Sequence, residues 1–311
     1  MYLVNWHRNC KPGFDYQGII KGDTSAAVWD GALPFDRVPK IVNPASGFVQ
    51  NANNAPFLAA GPGSELNPAD FSPLMGIETR MTNRGIRATE LMVADKSITY
   101  DELLIIKNDM AYSKASFAGR WIPALIAADV GGDAELKAAQ ALLGTWDWTS
   151  DGKGKADALA EAVLRLAARP DWRGDPLPDP KATLREAVDT FKERFGWIDP
   201  PLLDIQRLRR GQADMPADGG YDTLRAATIW DRDQPDGRYR VRHGDSFIML
   251  VNWDKAGRVQ SQSIQPYGAA TTRPYSKHFT DQMKLFTEKK YKPVNFEWAD
   301  AVAQGGKVYR P

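Results

Sequence analysis

The chain has 311 residues, 43% hydrophobic and 25% charged, which is an ordinary globular composition and enough for one large domain or two smaller ones. Its 40 basic and 39 acidic side chains leave a net charge of +1 with no basic stripe, so we do not expect a nucleic-acid partner. The single cysteine, Cys10, excludes an internal disulfide, and no apolar run approaches the roughly 20 residues of a membrane span.

The beginning of the chain, MYLVNWHRNC, predicts a strand because Tyr2, Val4 and Trp6 alternate with other side chains. It lacks the basic segment, the long apolar core and the cleavage site of a signal peptide.

The stretch NPASGFVQNANNAP, residues 43–56, is rich in asparagine and proline. It predicts a turn, a short strand at 48–50, and a polar corner that ends at Pro56. From the residues alone, Asn51, Asn53 and Asn54 are turn-forming side chains. The alternative is that one amide points into a cleft and donates a hydrogen bond to a developing oxyanion.

The middle of the chain has helical periodicity. Thr99 and Glu102 have the spacing of a capping box, Pro123 lies near a helix start or at a kink, and Pro170 is expected to end a helix. Gly196 is expected to close the last helix of this region. The predicted helices cover residues 97–113, 115–130, 134–146, 155–170 and 181–196.

Strands return after the helices. The sequence predicts a buried strand at 246–253, a turn at DKAG, a return strand, and then a short helix with Met283 and Phe286 on one side. The expected fold class is α+β, either as such or as a sheet sandwich interrupted by a helical insertion. We divide the single domain into a sheet segment (1–82), a helical segment (83–205) and late strands with a C-terminal helix (206–311).

The sequence shows no zinc-binding, serine-hydrolase or phosphate-binding motif. His7, His243 and His278 have no partner at zinc-ligand spacing and are expected to be structural, and Cys10 is expected to be a packed side chain. The sequence contains no GxSxG motif and no convincing phosphate-binding loop.

Four stretches in order resemble the penicillin amidase family of N-terminal-nucleophile amide hydrolases, most closely its acyl-homoserine-lactone acylase branch. They are IVNPASGFVQNANNAPF, NRGIRATELM, RHGDSFIMLVNWDKAGRVQSQSIQPYGAATTRP and YSKHFTDQMKLF. The resemblance implies an αββα sandwich. It also implies an N-terminal serine nucleophile whose own α-amino group is the base. It assigns oxyanion binding to the side chain of Asn53 and organisation of the site to Arg87.

The resemblance also implies that part of the enzyme lies elsewhere. In the family the nucleophile stands roughly 200 residues before the asparagine motif, whereas 42 residues precede it here, Met1 is not a nucleophile, and no internal serine has a matching context. We therefore expect the C-terminal part of a β subunit. It would be inactive alone, and its partners would be an α subunit, the N-terminal part of the β subunit and an acylated amide substrate.

Two further expectations come from the family. Its exported precursors imply a periplasmic location, although this chain shows no signal peptide. No cofactor is required, but some members hold a structural calcium for which Asp70 could be one ligand.

The alternative function is a non-catalytic fragment that binds an acyl ligand or a partner chain. A third alternative is an unrelated, tryptophan-rich carbohydrate-binding protein. That alternative requires the four ordered sequence matches to be accidental.

Overall fold

The computed structural model describes residues 2–3, 8–16, 18–232 and 234–305. The chain divides into two compact units, the first comprising Met1–Ile98 with Tyr112–Arg120 and the second comprising Thr99–Ala111 with Trp121–Pro311. None of the helices in the described ranges is both long and apolar enough to cross a membrane.

The first unit contains little regular structure. Among its described residues, the elements before Ile98 are β1 (Tyr2–Leu3), β2 (Lys40–Ile41), α1 (Asn83–Ala94) and four 3-10 helices at Phe35–Arg37, Pro56–Leu58, Pro68–Asp70 and Pro73–Met75. β1 pairs antiparallel with β2, as a strand at the start of the chain predicts. The remainder of that predicted strand, with Val4 and Trp6, lies outside the described residues, and so does His7.

The strand predicted at 48–50 is wrong. The backbone N–H of Gln50 donates to the Ala59 carbonyl at 2.8 Å, and its side-chain amide donates to the Leu58 carbonyl at 2.5 Å. This segment is therefore held by hydrogen bonds to residues 58–59 of the same loop, and within the described residues no second strand pairs with it. The small apolar core nearby consists of Ile41, Ala59 and Ala60.

The second unit contains most of the helices and two larger sheets. After α3 (Phe117–Ile126), which has residues in both units, the chain forms four further helices in succession, then six strands, and then the short elements of the C-terminal region. The helices are α2 (Tyr100–Lys107), α4 (Ala134–Leu143), α5 (Asp157–Arg173), α6 (Pro180–Phe195), α7 (Leu202–Ile205), α8 (Met283–Thr287) and α9 (Trp298–Gln304), with a 3-10 helix at Lys277–Phe279. The strands are β3 (Gln206–Arg210), β4 (Ala213–Pro216), β5 (Ile229–Asp231), β6 (Tyr239–His243), β7 (Ile248–Trp253), β8 (Val259–Ile264) and β9 (Lys292–Pro293).

The two sheets have the strand orders β4-β3-β6-β5 and β7-β8-β9. Side chains from both sheets share one core with α8, as the predicted apolar side of that helix requires. Its buried members are Leu208, Ala217, Ala227, Val241, Ile248, Leu250, Ile264, Met283 and Phe286. The fold class is therefore α+β, as predicted.

Helix boundaries follow local chemistry in most places. The capping box at the start of α2 is present, with both the Thr99 side chain and the Glu102 side chain bonded to backbone N–H groups. Gly196 ends α6 in the left-handed conformation that glycine adopts at low cost.

The helix end predicted at Pro170 is wrong. α5 continues to Arg173 and is closed by Gly174, with φ of 71°. A proline lacks the N–H that would bond the carbonyl four residues earlier, but so near the end of a helix few further hydrogen bonds depend on that turn.

The burial predicted for the strand at 246–253 is correct for only one face. Ile248 and Leu250 are buried in the core, whereas Met249 and Trp253 are exposed. A continuous apolar pattern is typical of a strand that is buried on both faces. Within the described residues only the face that carries Ile248 and Leu250 is buried.

Candidate active site

The asparagine-rich loop, residues 43–56, is ordered by left-handed backbone positions. Asn43, Gly47 and Asn53 have φ values of 48°, 82° and 55°. Glycine adopts this region without a steric penalty, and asparagine tolerates it better than most residues because its short amide bonds nearby backbone. The loop therefore needs asparagine or glycine at these positions.

Two of the three clustered asparagines are turn-forming residues. The Asn51 Oδ1 accepts a hydrogen bond from the Asn53 N–H at 3.4 Å. The Asn54 Oδ1 accepts from the Ala52 N–H, and its Nδ2 donates to the Ala55 carbonyl, both at 2.7 Å. Both ends of the Asn54 amide are thus bonded to local backbone.

The loop is fixed to helix α1 through the N-cap residue that precedes the helix. Thr82 is the N-cap: its Oγ1 accepts from the Gly85 N–H at 3.1 Å and donates to the Ala52 carbonyl at 3.0 Å. The Ala55 N–H also donates to the Arg80 carbonyl at 3.0 Å. The start of the helix and the middle of the loop are therefore positioned together.

Asn53 differs from its neighbours because its side chain is exposed and does not bond its own loop. Its Oδ1 accepts a hydrogen bond from the Arg84 Nη2 at 3.3 Å. A guanidinium only donates, so this contact orients the carbonyl end of the amide towards Arg84 and the NH₂ end away from it. Within the described residues no acceptor binds that NH₂, which leaves two donors available to a ligand.

Arg87 lies one turn after Arg84 on α1 and pairs with Glu90, with 2.9 Å between Nη1 and Oε2. The Glu90 Oε1 accepts from the Ser113 hydroxyl at 2.6 Å, and the Ser113 N–H donates to the Asn83 Oδ1 at 2.8 Å. The structure thus brings Arg84, rather than Arg87, to the side chain of Asn53. The organising role of Arg87 stays a prediction.

Asp70 lies apart from these residues, on a cavity of about 290 Å³ that Arg8, Cys10, Asp36 and Arg37 also line. Calcium prefers six to eight oxygen ligands. In the described part of the chain no three carboxylate, histidine or cysteine side chains converge on a possible metal position. The calcium role of Asp70 stays a prediction, with its remaining ligands expected from other segments of the enzyme.

An open groove of about 870 Å³ borders the loop on the first unit. Its apolar wall contains Phe48, Pro62, Met92, Val93 and Ile98. The groove combines these side chains with polar residues such as Lys96, so it could hold a chain-like ligand with a polar end.

The His-x-x-Asp-Gln stretch has a structural place in the second unit. The His278 Nδ1 lies 2.7 Å from the Asp281 Oδ2, and the Gln282 N–H donates to the Tyr267 carbonyl at 2.8 Å. His278 lies within the 3-10 helix at Lys277–Phe279, and His243 is the last residue of β6. The structural roles expected for both stay predictions.

The family of this chain follows from its match to a family sequence model. The sequence model of penicillin amidase matches residues 7–303. The chain belongs to the penicillin amidase family. The resemblance inferred from the four sequence stretches is therefore confirmed.

The curated relatives of this chain include two acylases of Pseudomonas. The acyl-homoserine lactone acylase PvdQ of Pseudomonas savastanoi pv. phaseolicola is 23% identical over 329 residues, which cover 89% of this chain and 39% of that protein. PvdQ of Pseudomonas fluorescens is 23% identical over 332 residues, which cover 92% of this chain and 40% of that protein. The chain thus spans about two fifths of the length of these curated relatives.

The fold has a counterpart among solved structures. The thermostable penicillin G acylase of Alcaligenes faecalis matches with a TM-score of 0.55 and 15% identity, and the match covers 98% of this chain and 64% of that one. At this identity the likeness shows the fold of the penicillin amidase family and nothing finer.

Sequence reasoning selected Asn53 from the motif but missed Arg84. A signal was present: Thr82 is a good N-cap, and a helix that begins after it places Arg84 in the first turn, next to the loop. Arg87 is a full turn further along, where its pairing with Glu90 is favoured by the spacing of three residues.

Proposed function

We propose that this chain is part of an acylase that hydrolyses acyl amides, and that Asn53 supplies an oxyanion donor. The observation that supports it is the exposed NH₂ of Asn53, oriented by the Arg84 guanidinium at 3.3 Å from Oδ1. The family membership and the acylase relatives support the reaction class.

The chemistry requires a neutral, fixed donor. When a nucleophile attacks an amide carbonyl, negative charge develops on the oxygen, and a positioned amide N–H stabilises that charge without giving up a proton. Arg84 favours this in two ways, because it holds the amide orientation and adds positive charge close to the oxyanion.

The attacking group would come from outside these 311 residues. We infer an N-terminal serine activated by its own α-amino group, carried by the N-terminal part of a β subunit, with an α subunit completing the αββα sandwich. One donor and one arginine cannot attack an amide, so the chain alone would be inactive.

The substrate class follows from the relatives. We propose acyl-homoserine lactones or β-lactam-type acylamides as substrates and the periplasm as the location. No cofactor takes part in the proposed reaction. A structural calcium at Asp70 remains part of the proposal only with ligands supplied by the other segments.

Substitution of Asn53 in the complete enzyme tests the proposal. Asn53→Ala and Asn53→Gly should each lower kcat for a chromogenic acyl amide by about 10²–10³, the usual cost of losing one oxyanion donor. Glycine is the sharper variant because it accepts the φ of 55° without strain, so an unchanged melting temperature with lost turnover isolates the amide. Asn67→Ala, at the cap of an exposed 3-10 helix in the same unit, is the control and should keep near-parental kcat. Near-normal turnover of Asn53→Gly would remove Asn53 from the mechanism.

The groove beside the loop favours a second candidate, a non-catalytic fragment that binds an acyl ligand. Under that function, saturable binding of a fatty-acyl amide would persist while the complete protein releases no product. Val93→Arg would then abolish binding, because the arginine places a charge in the apolar wall.

A further inference from the structure

A cavity of about 160 Å³ in the second unit has a polar lining that the proposed reaction does not use. It lies beside the loop that joins β6 to β7, residues 244–247, and Phe286 of α8 also lines it. The share of one water in the liquid is about 30 Å³, so the cavity has room for a ligand larger than a single water.

The most buried charged side chain of the lining is Arg225, which is 3% exposed. Its Nε donates to the Asp218 Oδ1 at 3.0 Å, its Nη2 donates to the Phe286 carbonyl at 2.9 Å, and its guanidinium lies 3.9 Å from the centroid of the Phe286 ring. The Nη1 is 3.7 Å from the Asp245 Oδ2, and within the described residues it makes no hydrogen bond. A buried donor without an acceptor costs free energy, so a ligand that accepts from Nη1 is favoured.

The charges around Arg225 do not cancel. Lys289 pairs with Asp218, and the Lys107 Nζ lies 2.9 and 3.0 Å from the two Asp245 carboxylate oxygens. Three cations, Arg225, Lys107 and Lys289, therefore face two carboxylates, which leaves one positive charge in excess. Because cations of the protein already pair with both carboxylates, this excess favours an anion in the cavity.

Four more side chains of the lining can donate hydrogen bonds to an anion. They are the Arg242 guanidinium, the His243 ring, the Ser246 hydroxyl and the Tyr267 hydroxyl. In the part of the chain that the structure describes, these four groups have no hydrogen bond and no ion pair. Burial raises the pKa of Tyr267 above its ordinary value, so its hydroxyl keeps the proton that it would donate.

The loop beside the cavity is fixed at Gly244. A Cβ at this position would stand 2.2 Å from the Ala226 carbonyl oxygen, so only glycine lets the loop pass this close. The Asp245 N–H donates to the same carbonyl at 3.0 Å. His243 and Ser246, on either side of these two residues, are therefore placed at the cavity before a ligand arrives, which lowers the entropic cost of binding.

We propose that this cavity binds a small oxyanion through the Arg225 Nη1 and the Arg242 guanidinium, with the Ser246 and Tyr267 hydroxyls as further donors. Several donors around one cavity suit an ion with several acceptor oxygens, and arginine binds the oxygens of phosphates and carboxylates in paired N–H contacts. The ligand class therefore comprises inorganic phosphate and short carboxylates. This site goes beyond the proposed acylase function, uses none of its residues and does not depend on it.

Titration calorimetry of the purified protein with inorganic phosphate and, separately, with acetate tests the site at constant ionic strength. We expect saturable binding with a Kd of about 1 mM or tighter for the preferred anion, and a higher melting temperature in its presence. The tighter of the two anions shows whether the site selects a phosphate group or a carboxylate. No saturation by either anion up to about 10 mM, or the same rise in melting temperature with chloride at equal ionic strength, would overturn the proposal.

Two variants place the anion in the cavity. Arg242→Gln should weaken binding of the preferred anion by about tenfold or more, because a charged donor is lost, and Tyr267→Phe by about threefold to tenfold, because a neutral hydroxyl is lost. The matched control is Arg238→Gln, which removes a half-exposed arginine just before the same strand and outside the lining, and it should keep the parental affinity.

Ser246→Ala, at an exposed position in the loop, repeats the test without altering the sheet and should also weaken binding by about threefold to tenfold. Circular dichroism checks that each variant is folded. Parental affinity in both Arg242→Gln and Ser246→Ala, or equal weakening in Arg238→Gln and Arg242→Gln, would overturn the site.

Discussion

Each of the two units is stabilised internally by a different kind of interaction. The first has a small apolar core, and its long loop is fixed by hydrogen bonds from side chains such as Gln50 and Thr82 to backbone carbonyls. The second has a large core and a helix, α5, whose residues 158–164 are all buried. The candidate site thus lies where geometry depends on a few directional contacts, while stability is concentrated in the second unit.

The largest expected effect is in the second unit, at Glu161. This fully buried carboxylate accepts from the Ser150 hydroxyl at 2.6 Å and the Tyr221 N–H at 3.1 Å, and pairs with Arg165 at 2.9 Å. Glu161→Ala leaves these donors without their acceptor in the interior and should lower the free energy of unfolding by about 3–5 kcal/mol in urea denaturation.

The control for this prediction is Glu186→Ala, which removes an exposed carboxylate on α6 and should change the stability by less than about 0.5 kcal/mol. Equal losses for the two variants would contradict the importance of the buried pair.

A second test concerns the pH dependence of the second unit. Burial, together with the nearby Asp147 and Asp151 carboxylates, raises the pKa of Asp157 to about 7, against the opposing effect of hydrogen bonds from the Gly152 and Gly154 N–H groups. The folded state therefore keeps a proton between about pH 4 and pH 7 that the unfolded state has released, so stability should fall as pH rises through this window.

Asp157→Asn removes this titration, and its carbonyl oxygen can still accept from the two glycines. The variant should match the parent near pH 4 and be more stable than the parent at pH 8, as measured by chemical denaturation at both values. A parallel pH dependence of the two proteins would show that Asp157 does not titrate in this range.

The smallest expected effect compares two helix caps. Thr82→Ala and Thr99→Ala each remove an N-cap, one in each unit, and should each cost about 1 kcal/mol in thermal unfolding. Only Thr82 also donates to the Ala52 carbonyl. Only Thr82→Ala should therefore speed hydrogen exchange of the Asn53 backbone N–H. Faster exchange there in Thr99→Ala would mean that the loop depends on the second unit as well.

The features that were predicted correctly from the sequence depend on interactions between residues close together in the chain. The capping box at Thr99, the glycine cap at Gly196 and the β7–β8 hairpin around DKAG depend on neighbours a few residues away, and all three are present. The predicted strand at 48–50 failed because its hydrogen bonds go to a return of the chain eight or nine residues later, which no periodicity records.

The candidate site was predictable only in part. The motif selected Asn53, but the backbone bonds of Asn51 and Asn54 depend on turn geometry, and the contact with Arg84 spans 31 positions in the sequence. Such a contact depends on where α1 begins relative to the loop. The full burial expected for β7 failed for a different reason, since a continuous apolar run does not record which face of the strand the neighbouring elements cover.

Gly85 sets a limit for anyone who would redesign this region. A Cβ at this position would stand 2.8 Å from the Asn54 Oδ1 and 2.9 Å from its Cγ, closer than carbon atoms tolerate. A directed-evolution library that varies α1 to change substrate preference should therefore keep residue 85 fixed, because even alanine there would shift the residue that follows Asn53. Diversity placed on the exposed residues of the helix beyond Glu90 avoids that displacement.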